Sequence, residues 1–330
     1  MRRRDAFAGI LSLATVVPLG ACEQQTGHTE RIWRVGLLLS GFNEAAVARQ
    51  RRVIAERLER HGFVEGRNLR VEVRRGVWSS DVDAEVVRTL VAWRPDVILV
   101  DTGPLATRTL AVSGTIPIVF TGVADPISTG LIKDFARPGG NATGVHFSQL
   151  EIGAKRLELV RELLPGARRV MVARYLAGGE FDMLPHLRDA ASRLGLEIVE
   201  AMADPWSGFP APLNSSAADA IYSGETWIFY GMDHVAEQII RFAAEQRIPS
   251  LFWEAEAAER GATIAYGVNV TRELARAADQ LARVLKGAKP GELSVDTSTE
   301  YELVVNKKAA AALGIVIPGS IMSRANRVIE

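Results

Sequence analysis

Short apolar runs alternate along the chain with longer segments in which apolar residues recur every three to four positions. A continuous apolar run of about five residues is typical of a strand buried on both faces of a parallel sheet. The longer segments have the spacing of helices that bury one face. The pattern predicts strands at 35–39, 69–73, 96–100 and 116–120, and helices at 45–60, 82–93 and 107–112. Repeated strand-then-helix order indicates a parallel sheet covered by helices.

The same alternation starts again after residue 144, in a chain of 330 residues that is long enough for two domains. Helices are predicted at 157–164, 184–194 and 234–246, and strands at 169–173, 196–201, 219–222 and 250–252. Two copies of one architecture predict an α/β protein with two similar doubly wound parallel-sheet lobes. We expect the first lobe at 34–145, the second at 146–266, and a C-terminal segment at 267–330 that crosses between the lobes and packs on them.

The first 22 residues have the pattern of an export signal. Three arginines at 2–4 precede an apolar run at 6–19, which is followed by Gly-Ala and then Cys22. This order predicts a lipoprotein signal peptide that is cleaved before Cys22, whose thiol then carries the lipid. The alternative is a spare cysteine beside an ordinary cleavage site, and the arginines leave open whether export follows the twin-arginine or the general route. Residues 23–33 are interpreted as a polar tether.

The composition argues against several classes of function. The chain carries 39 basic and 39 acidic residues, so its net charge of zero offers no basic surface for the phosphates of a nucleic acid. The five histidines show no paired metal-ligand spacing, and neither a GxSxG elbow nor a glycine-rich phosphate loop occurs. The single cysteine, Cys22, belongs to the leader. The sequence therefore predicts no catalytic residues, no cofactor, no metal site and no nucleic-acid partner.

Ligands of open parallel sheets bind beyond the carboxyl ends of the strands, and this rule selects the candidate site. Small polar residues follow the strands of the first lobe, where backbone N–H groups and helix N-termini suit an anion. Polar and aromatic residues follow the strands of the second lobe. The candidate ligand-binding residues are Ser40, Gly41, Asn43, Thr102, Gly103, Thr121 and Asp125 in the first lobe, and Tyr175, Glu225, Thr226, Trp253 and Glu256 in the second.

Each candidate also has a purely structural interpretation. Ser40, Asn43, Thr102 and Asp125 are residue types that commonly cap helix N-termini. Trp253 is as compatible with a plain structural place, in the core or on the surface, as with a ligand contact. Because a helix cap can also bind a ligand, the group as a whole indicates a site more strongly than any of its members.

Four segments make the chain recognisable. They are GFVEGRNL at 62–69, IPIVFTGVADPISTGLIKDFARPGGNATG at 116–144, GAKRLELVRELLPGA at 153–167 and LKGAKPGELSVDTSTEYELVVNKKAAAALGIVIP at 285–318. In this order they resemble the bacterial ABC-transporter substrate-binding proteins that include tryptophan and tyrosine uptake components. The resemblance implies a type I periplasmic-binding fold, two lobes joined by three crossings, and a ligand in the cleft. It also implies a lipoprotein or periplasmic protein that works with a separately encoded permease and ATPase.

One segment departs from the family pattern. Residues 219–234 are a few residues longer than usual, which leaves open whether Glu225 with Thr226, or instead Asp233, is the acidic group near the ligand. The departure bears directly on the identity of the solute, because this segment contributes the second-lobe side of the site.

The expected function is the capture of a small solute, such as an amino acid, by closure of two lobes at the extracytoplasmic face of a bacterial membrane. We expect a monomer that meets the membrane only through the lipid on Cys22. Two alternatives remain at this point. One is a binding protein of the same fold that feeds a signalling partner, and the other is a Rossmann-like enzyme.

Overall fold

The computed structural model describes residues 31–40, 44–76, 80–123, 125–175, 183–203, 218–223 and 233–330. The predicted signal peptide, Cys22 and most of the tether lie outside these residues. The described strands form two sheets, one of six strands and one of seven.

Strands and helices alternate along most of the chain. Those up to the first crossing are β1 (Trp33–Ser40), α1 (Glu44–Arg60), β2 (Leu69–Gly76), α2 (Ser80–Ala92), β3 (Val97–Val100), α3 (Gly103–Val112), β4 (Ile118–Phe120) and β5 (Ala142–Phe147). Those of the middle are α4 (Gln149–Leu163), β6 (Arg169–Tyr175), α5 (Leu184–Arg193), β7 (Glu197–Ala203), β8 (Ala220–Ser223), α6 (Asp233–Gln246), β9 (Ser250–Phe252), a 3₁₀ helix (Ala255–Ala258) and β10 (Ile264–Gly267). The last are α7 (Val270–Leu285), a 3₁₀ helix (Pro290–Glu292), β11 (Asp296–Ser298), β12 (Glu302–Asn306), α8 (Lys307–Ala312), α9 (Gly319–Arg324) and β13 (Arg327–Ile329).

The first lobe is a parallel sheet with the order β11-β5-β4-β3-β1-β2. Successive residues of a strand point to opposite faces, and both faces of this sheet are covered. Leu37 packs on one face with Ile54 of α1 and Leu281 of α7. Its neighbour Leu38 packs on the other face with Leu90 of α2. Two covered faces explain why the strand at 35–39 is apolar without interruption.

The second lobe repeats this arrangement with the order β13-β12-β10-β9-β8-β6-β7. Met171 of β6 packs on one face with Ile239 of α6. Val172, the next residue, packs on the opposite face with Val160 of α4 and Leu187 of α5. The predicted fold class, two similar doubly wound α/β lobes, is confirmed.

The described chain passes between the sheets three times, after β5, after β10 and after β11. A small apolar cluster lies at these crossings, with Ile152, Trp253 and Val268 buried and Tyr266 and Tyr301 packed against them. The C-terminal part is shared, because α7 packs on the first sheet and β11 extends it, whereas β12 and β13 extend the second.

One pairing differs from the parallel sheets that the sequence predicts, because β12 runs antiparallel to β10. The reason is the path of the chain. Strand β11 leaves the first lobe at the edge where its parallel strands end, so the chain enters the second lobe at the matching edge and runs in the opposite direction. The helix predicted at 107–112 also begins earlier, at Gly103, with Pro104 in its first turn, where a missing N–H costs no hydrogen bond.

Candidate ligand-binding cleft

A buried carboxyl group lies where the strands of the first lobe end. Asp101 follows β3 and has no exposed surface. Its oxygens accept hydrogen bonds from the Ser40 backbone N–H at 2.8 and 2.9 Å, from Ser40 Oγ at 3.0 Å and from Gln50 Nε2 at 3.2 Å. Burial raises the pKa of Asp101 to about 7, although the hydrogen bonds from Ser40 and Gln50 oppose that rise.

Gln50 projects from the second turn of α1 into the same region. While its Nε2 donates to Asp101, its Oε1 is buried and has no hydrogen-bond partner. Thr102 is fully buried at the N-cap position of α3, where its side chain makes no capping bond, and its Oγ1 is also without a partner. Gly103 begins α3. A capping hydrogen bond therefore does not explain why a threonine hydroxyl is buried at this position.

The segment after β4 is arranged as a turn. Thr121 is buried, and Asp125 is partly buried with its Oδ1 accepting from the backbone N–H groups of Ile127 and Ser128 at 3.1 and 3.0 Å. These bonds give Asp125 the local structural role that its residue type suggests. Nearby, His146 Nδ1 lies 3.1 Å from the Val123 carbonyl oxygen, and burial lowers the pKa of this histidine.

On the second lobe, the segment after β9 brings acidic groups to the junction. Glu254 is paired with Arg260 and is largely buried. Glu256 lies in the 3₁₀ helix that follows, and burial raises the pKa of its carboxyl group. Its Oε2 atom has no hydrogen-bond partner. Trp253 is 2% exposed and packs in the cluster at the crossings.

A pocket of about 160 Å³ opens where these parts of the two lobes meet. Its walls come from α1, from the segment after β9 and from the first turns of α7. The residues that line it are Ala46, Arg49, Gln50, Val53, Glu254, Glu256, Arg260, Val270, Thr271 and Leu274. Of the residues predicted from the sequence, Glu256 lines this pocket, and Ser40 reaches its wall indirectly through Asp101 and Gln50.

The second lobe buries a cation near the ends of its strands. Arg156 of α4 has no exposed surface, donates from Nε to the Tyr266 carbonyl oxygen at 2.6 Å and donates from Nη1 to the Tyr222 hydroxyl at 3.1 Å. Its Nη2 is buried without a partner, and no carboxylate of the described residues forms an ion pair with it. A buried guanidinium without a carboxylate is unusual, because desolvation of the charge is only partly compensated.

Several predicted site residues lie outside the described residues, namely Gly41, Asn43, Glu225 and Thr226. The side chains of Tyr175, the last residue of β6, and of Asp233, the first residue of α6, lie outside them as well. The choice between Glu225 and Asp233 as the acidic group near the ligand therefore stays open.

Sequence reasoning missed three residues of this region, Asp101, Gln50 and Arg156. Asp101 carried a usable signal, because it is the first polar residue after the apolar strand β3. Gln50 and Arg156 had no such signal in the sequence, because each is a polar residue on an amphipathic helix, where polar residues usually face the solvent. Within the described ranges there is no group of three histidine, cysteine, aspartate or glutamate residues that could hold a metal ion. No helix in the same part of the chain is both long and apolar enough to cross a bilayer.

A family model described as "ABC transporter substrate binding protein" matches residues 42–329, which is nearly all of both lobes. The chain belongs to the ABC transporter substrate-binding protein family. As a member it is a substrate-binding protein with a small-molecule ligand, and proteins of this family act outside the cytoplasm. The resemblance recognised in the sequence is confirmed.

A curated relative and two solved structures are similar to this chain. A "Tyrosine-binding protein" of Clostridioides difficile is 26% identical over 259 residues, which cover 78% of this chain and 74% of the relative. A crystal structure of a conserved domain protein from Vibrio cholerae is 26% identical with a TM-score of 0.78, and it covers 90% of this chain and 100% of that chain. An ABC domain from Streptococcus pneumoniae in complex with L-Trp has the same fold, with 20% identity, a TM-score of 0.75 and the same coverage.

Proposed function

We propose that this protein is the extracytoplasmic solute-binding component of an ABC uptake transporter and that its solute is an aromatic amino acid or a close relative. The observation that carries the proposal is the pocket at the junction of the lobes, which both lobes line with buried polar groups. A pocket of this kind, where polar groups converge from two domains, is the usual place for a small ligand.

The proposed solute class rests on two similarities and on the chemistry of the cleft. The relatives are a protein named for tyrosine and a structure containing L-Trp. An α-amino acid carries a carboxylate, an ammonium group and here an aromatic ring. The first needs N–H donors, the second needs acceptors, and the third stacks on aromatic side chains. The two lobes offer buried groups of both signs, Asp101 and Arg156, close to the strand ends.

We further propose the mode of capture. The solute binds first to the strand ends of the first lobe, and the second lobe then closes over it by hinge motion at the three crossings. The proposed contacts on the first lobe are Ser40, Gly41, Asn43, Thr102, Gly103, Thr121 and Asp125, and those on the second are Tyr175, Glu225, Thr226, Trp253 and Glu256. Affinity arises from contacts that exist only in the closed state, so recognition requires no chemical change of the solute.

Attachment to the membrane and delivery are part of the same proposal. A lipid on Cys22 would hold the mature protein at the membrane surface, with residues 23–33 as tether and residues 34–145 and 146–266 as the two lobes. A separately encoded permease and ATPase would then take the solute from the closed protein, which works as a monomer.

A ligand screen on the purified mature protein tests the proposal. We expect tryptophan or tyrosine to raise Tm in a thermal-shift screen that also contains purines, sugars and small organic acids, because a ligand that binds only the folded state stabilises it. Chromatography after incubation should recover the solute unchanged. A hit confined to the other classes contradicts the proposed solute, and conversion of the solute favours the enzyme alternative.

A further inference from the structure

Two residues that line the pocket from opposite lobes, Gln50 and Glu256, each have a buried acceptor atom without a donor. Gln50 belongs to α1 of the first lobe, and its Oε1 is buried with no partner. Glu256 belongs to the 3₁₀ helix of the second lobe, and its Oε2 is buried with no partner. Both residues line the same cavity of about 160 Å³, roughly ten times the volume that one water molecule requires. Buried acceptors that lack donors are unfavourable, so the pocket favours a ligand that donates.

The orientation of the Gln50 amide follows from Asp101. Above its pKa of about 7 the Asp101 carboxylate is ionised and only accepts hydrogen bonds, so the Gln50 group directed at it is the NH₂ group, whose Nε2 lies 3.2 Å from Oδ2. Ser40 holds the carboxylate in place with its backbone N–H and its hydroxyl. The amide oxygen of Gln50 is therefore the atom left for the pocket, and it is an acceptor only.

The arginines of the pocket do not supply the missing donors. Arg260 is paired with Glu254 on the same lobe, which leaves Glu256 Oε2 without a donor. Arg49 also lines the pocket, is exposed, and forms no hydrogen bond with the Gln50 oxygen. The unsatisfied acceptors thus define a subsite for a cationic donor within a pocket of otherwise mixed charge.

We infer that this subsite binds a protonated amine of the solute, which donates to Gln50 Oε1 from the first lobe and to the Glu256 carboxylate from the second. Asp101 is a positioning residue that acts through the Gln50 amide. An ammonium group has three donors and no acceptor, which matches an acceptor-only subsite. The inference rests on the proposed function, since it assigns the amine of an amino-acid solute.

The test compares solutes with and without the amine by isothermal titration calorimetry. The probes are L-tryptophan and L-tyrosine against 3-(indol-3-yl)propionate and 3-(4-hydroxyphenyl)propionate, which lack only the amine. Wild-type protein should bind the amino acids more tightly. Glu256→Gln should weaken amino-acid binding about 10- to 100-fold, because a charge-assisted hydrogen bond is lost, while binding of the amine-free probes changes less than about twofold. Glu237→Gln, an exposed acid on α6 of the same lobe, is the matched control and should change neither.

Two further variants test the positioning role and guard against misfolding. In Asp101→Asn the new amide and the Gln50 amide can pair in either orientation, so the Gln50 oxygen is no longer held toward the subsite. The ratio of amino-acid affinity to amine-free-probe affinity should therefore fall, while the amine-free probes still bind. Gln50→Met keeps the length of the side chain and removes the acceptor, and it should act in the same direction. Binding of the amine-free probes reports that each variant is folded.

The outcomes distinguish a wrong solute class from a wrong amine subsite. If wild-type protein binds none of these four probes but binds a solute of another class, the proposed solute class is wrong. If wild-type protein binds the amino acids and the Glu256→Gln and Gln50→Met variants retain the full preference for the amine, only the amine subsite is wrong.

Discussion

The two lobes share one architecture but bury charges of opposite sign near their strand ends. In the first lobe the group is Asp101, whose carboxylate receives donors from Ser40 and Gln50. In the second lobe it is Arg156, whose guanidinium donates to a backbone carbonyl and to the Tyr222 hydroxyl and keeps one nitrogen without a partner. Elsewhere the faces of both sheets are filled by apolar side chains.

Stability alone does not explain why these two charges are buried. A buried charge is costly, and a scaffold that needed only stability would place an apolar residue at either position. Each lobe instead has a charged side chain with no exposed surface near the edge where parallel sheets bind ligands, Asp101 in the first and Arg156 in the second. The anion is held by three protein donors, whereas the cation is left with unused donor capacity, so the two lobes should respond differently to removal of their charge.

The largest expected effect is the pH dependence caused by Asp101. Burial raises its pKa to about 7 from the ordinary 3.8, so between about pH 4 and pH 7 the folded protein keeps a proton that the unfolded chain has lost, and above about pH 7 the group is an anion in both states. This group therefore lowers the free energy of unfolding as the pH rises from about 4 to about 7, by about 4 kcal/mol in total. Urea unfolding of wild type and Asp101→Asn at pH 5, 6, 7 and 8 measures the effect. The stability of wild type relative to the variant should fall across this range, and a constant difference contradicts the assignment.

Removal of the second-lobe charge should come next. Arg156→Ala should lower the free energy of unfolding by about 3 kcal/mol, because it leaves a cavity beside Tyr222 and takes a donor from the Tyr266 carbonyl. Arg156→Met fills the space and removes the desolvated charge, so its cost should be smaller. The exposed Arg193→Ala on α5 is the control and should change stability by less than about 0.5 kcal/mol. Equal losses for Ala and Met would contradict the cavity argument.

An ion cluster on the outside of the first lobe should have a smaller effect. Asp279 of α7 is hydrogen-bonded to Arg57 of α1 and to His61, the residue that follows α1, at 2.6 Å each. Partial burial opposes the shift, but these two partners lower the pKa of Asp279. A lowered pKa means stabilisation that is present above the ordinary pKa of 3.8 and is lost as the pH falls below it. Asp279→Asn should therefore cost about 1 kcal/mol at pH 7 and almost nothing near pH 3 by urea unfolding. A loss that persists at acid pH would indicate packing instead.

The smallest effect is expected for a surface pair on the second lobe. Arg188 and Glu200 form an ion pair that joins α5 to β7, but more than half of the Arg188 side chain is exposed. Such pairs contribute between about 0 and 1 kcal/mol, since water and salt screen the charges. Arg188→Ala should change the urea midpoint little at low salt and not at all at about 0.5 M salt. A loss comparable to that of Arg156→Ala would contradict the view that burial at the strand ends distinguishes the charges of this protein.

Much of the fold could be predicted from local patterns. The apolar runs at 35–39, 96–100 and 169–173 correspond to β1, β3 and β6, because a strand between two helical layers must be apolar on both faces. Of the residues selected by the strand-end rule, Glu256 lines the pocket between the lobes and Ser40 is hydrogen-bonded to Asp101, while their contact with a ligand stays a prediction. The C-terminal segment was harder. Its elements are short and divide between two sheets, so their assignment depends on contacts with residues far away in the chain.

The sequence by itself determined the alternation of strands and helices and the repetition of one α/β unit, since both follow from local spacing. Only the tertiary structure decided which polar groups are buried at the carboxyl ends of the strands. Gln50 meets Asp101 across 51 residues of sequence, and Arg156 meets the Tyr266 carbonyl across 110. Burial of a charge is set by what packs around it, and for these residues the surrounding groups come from distant parts of the chain.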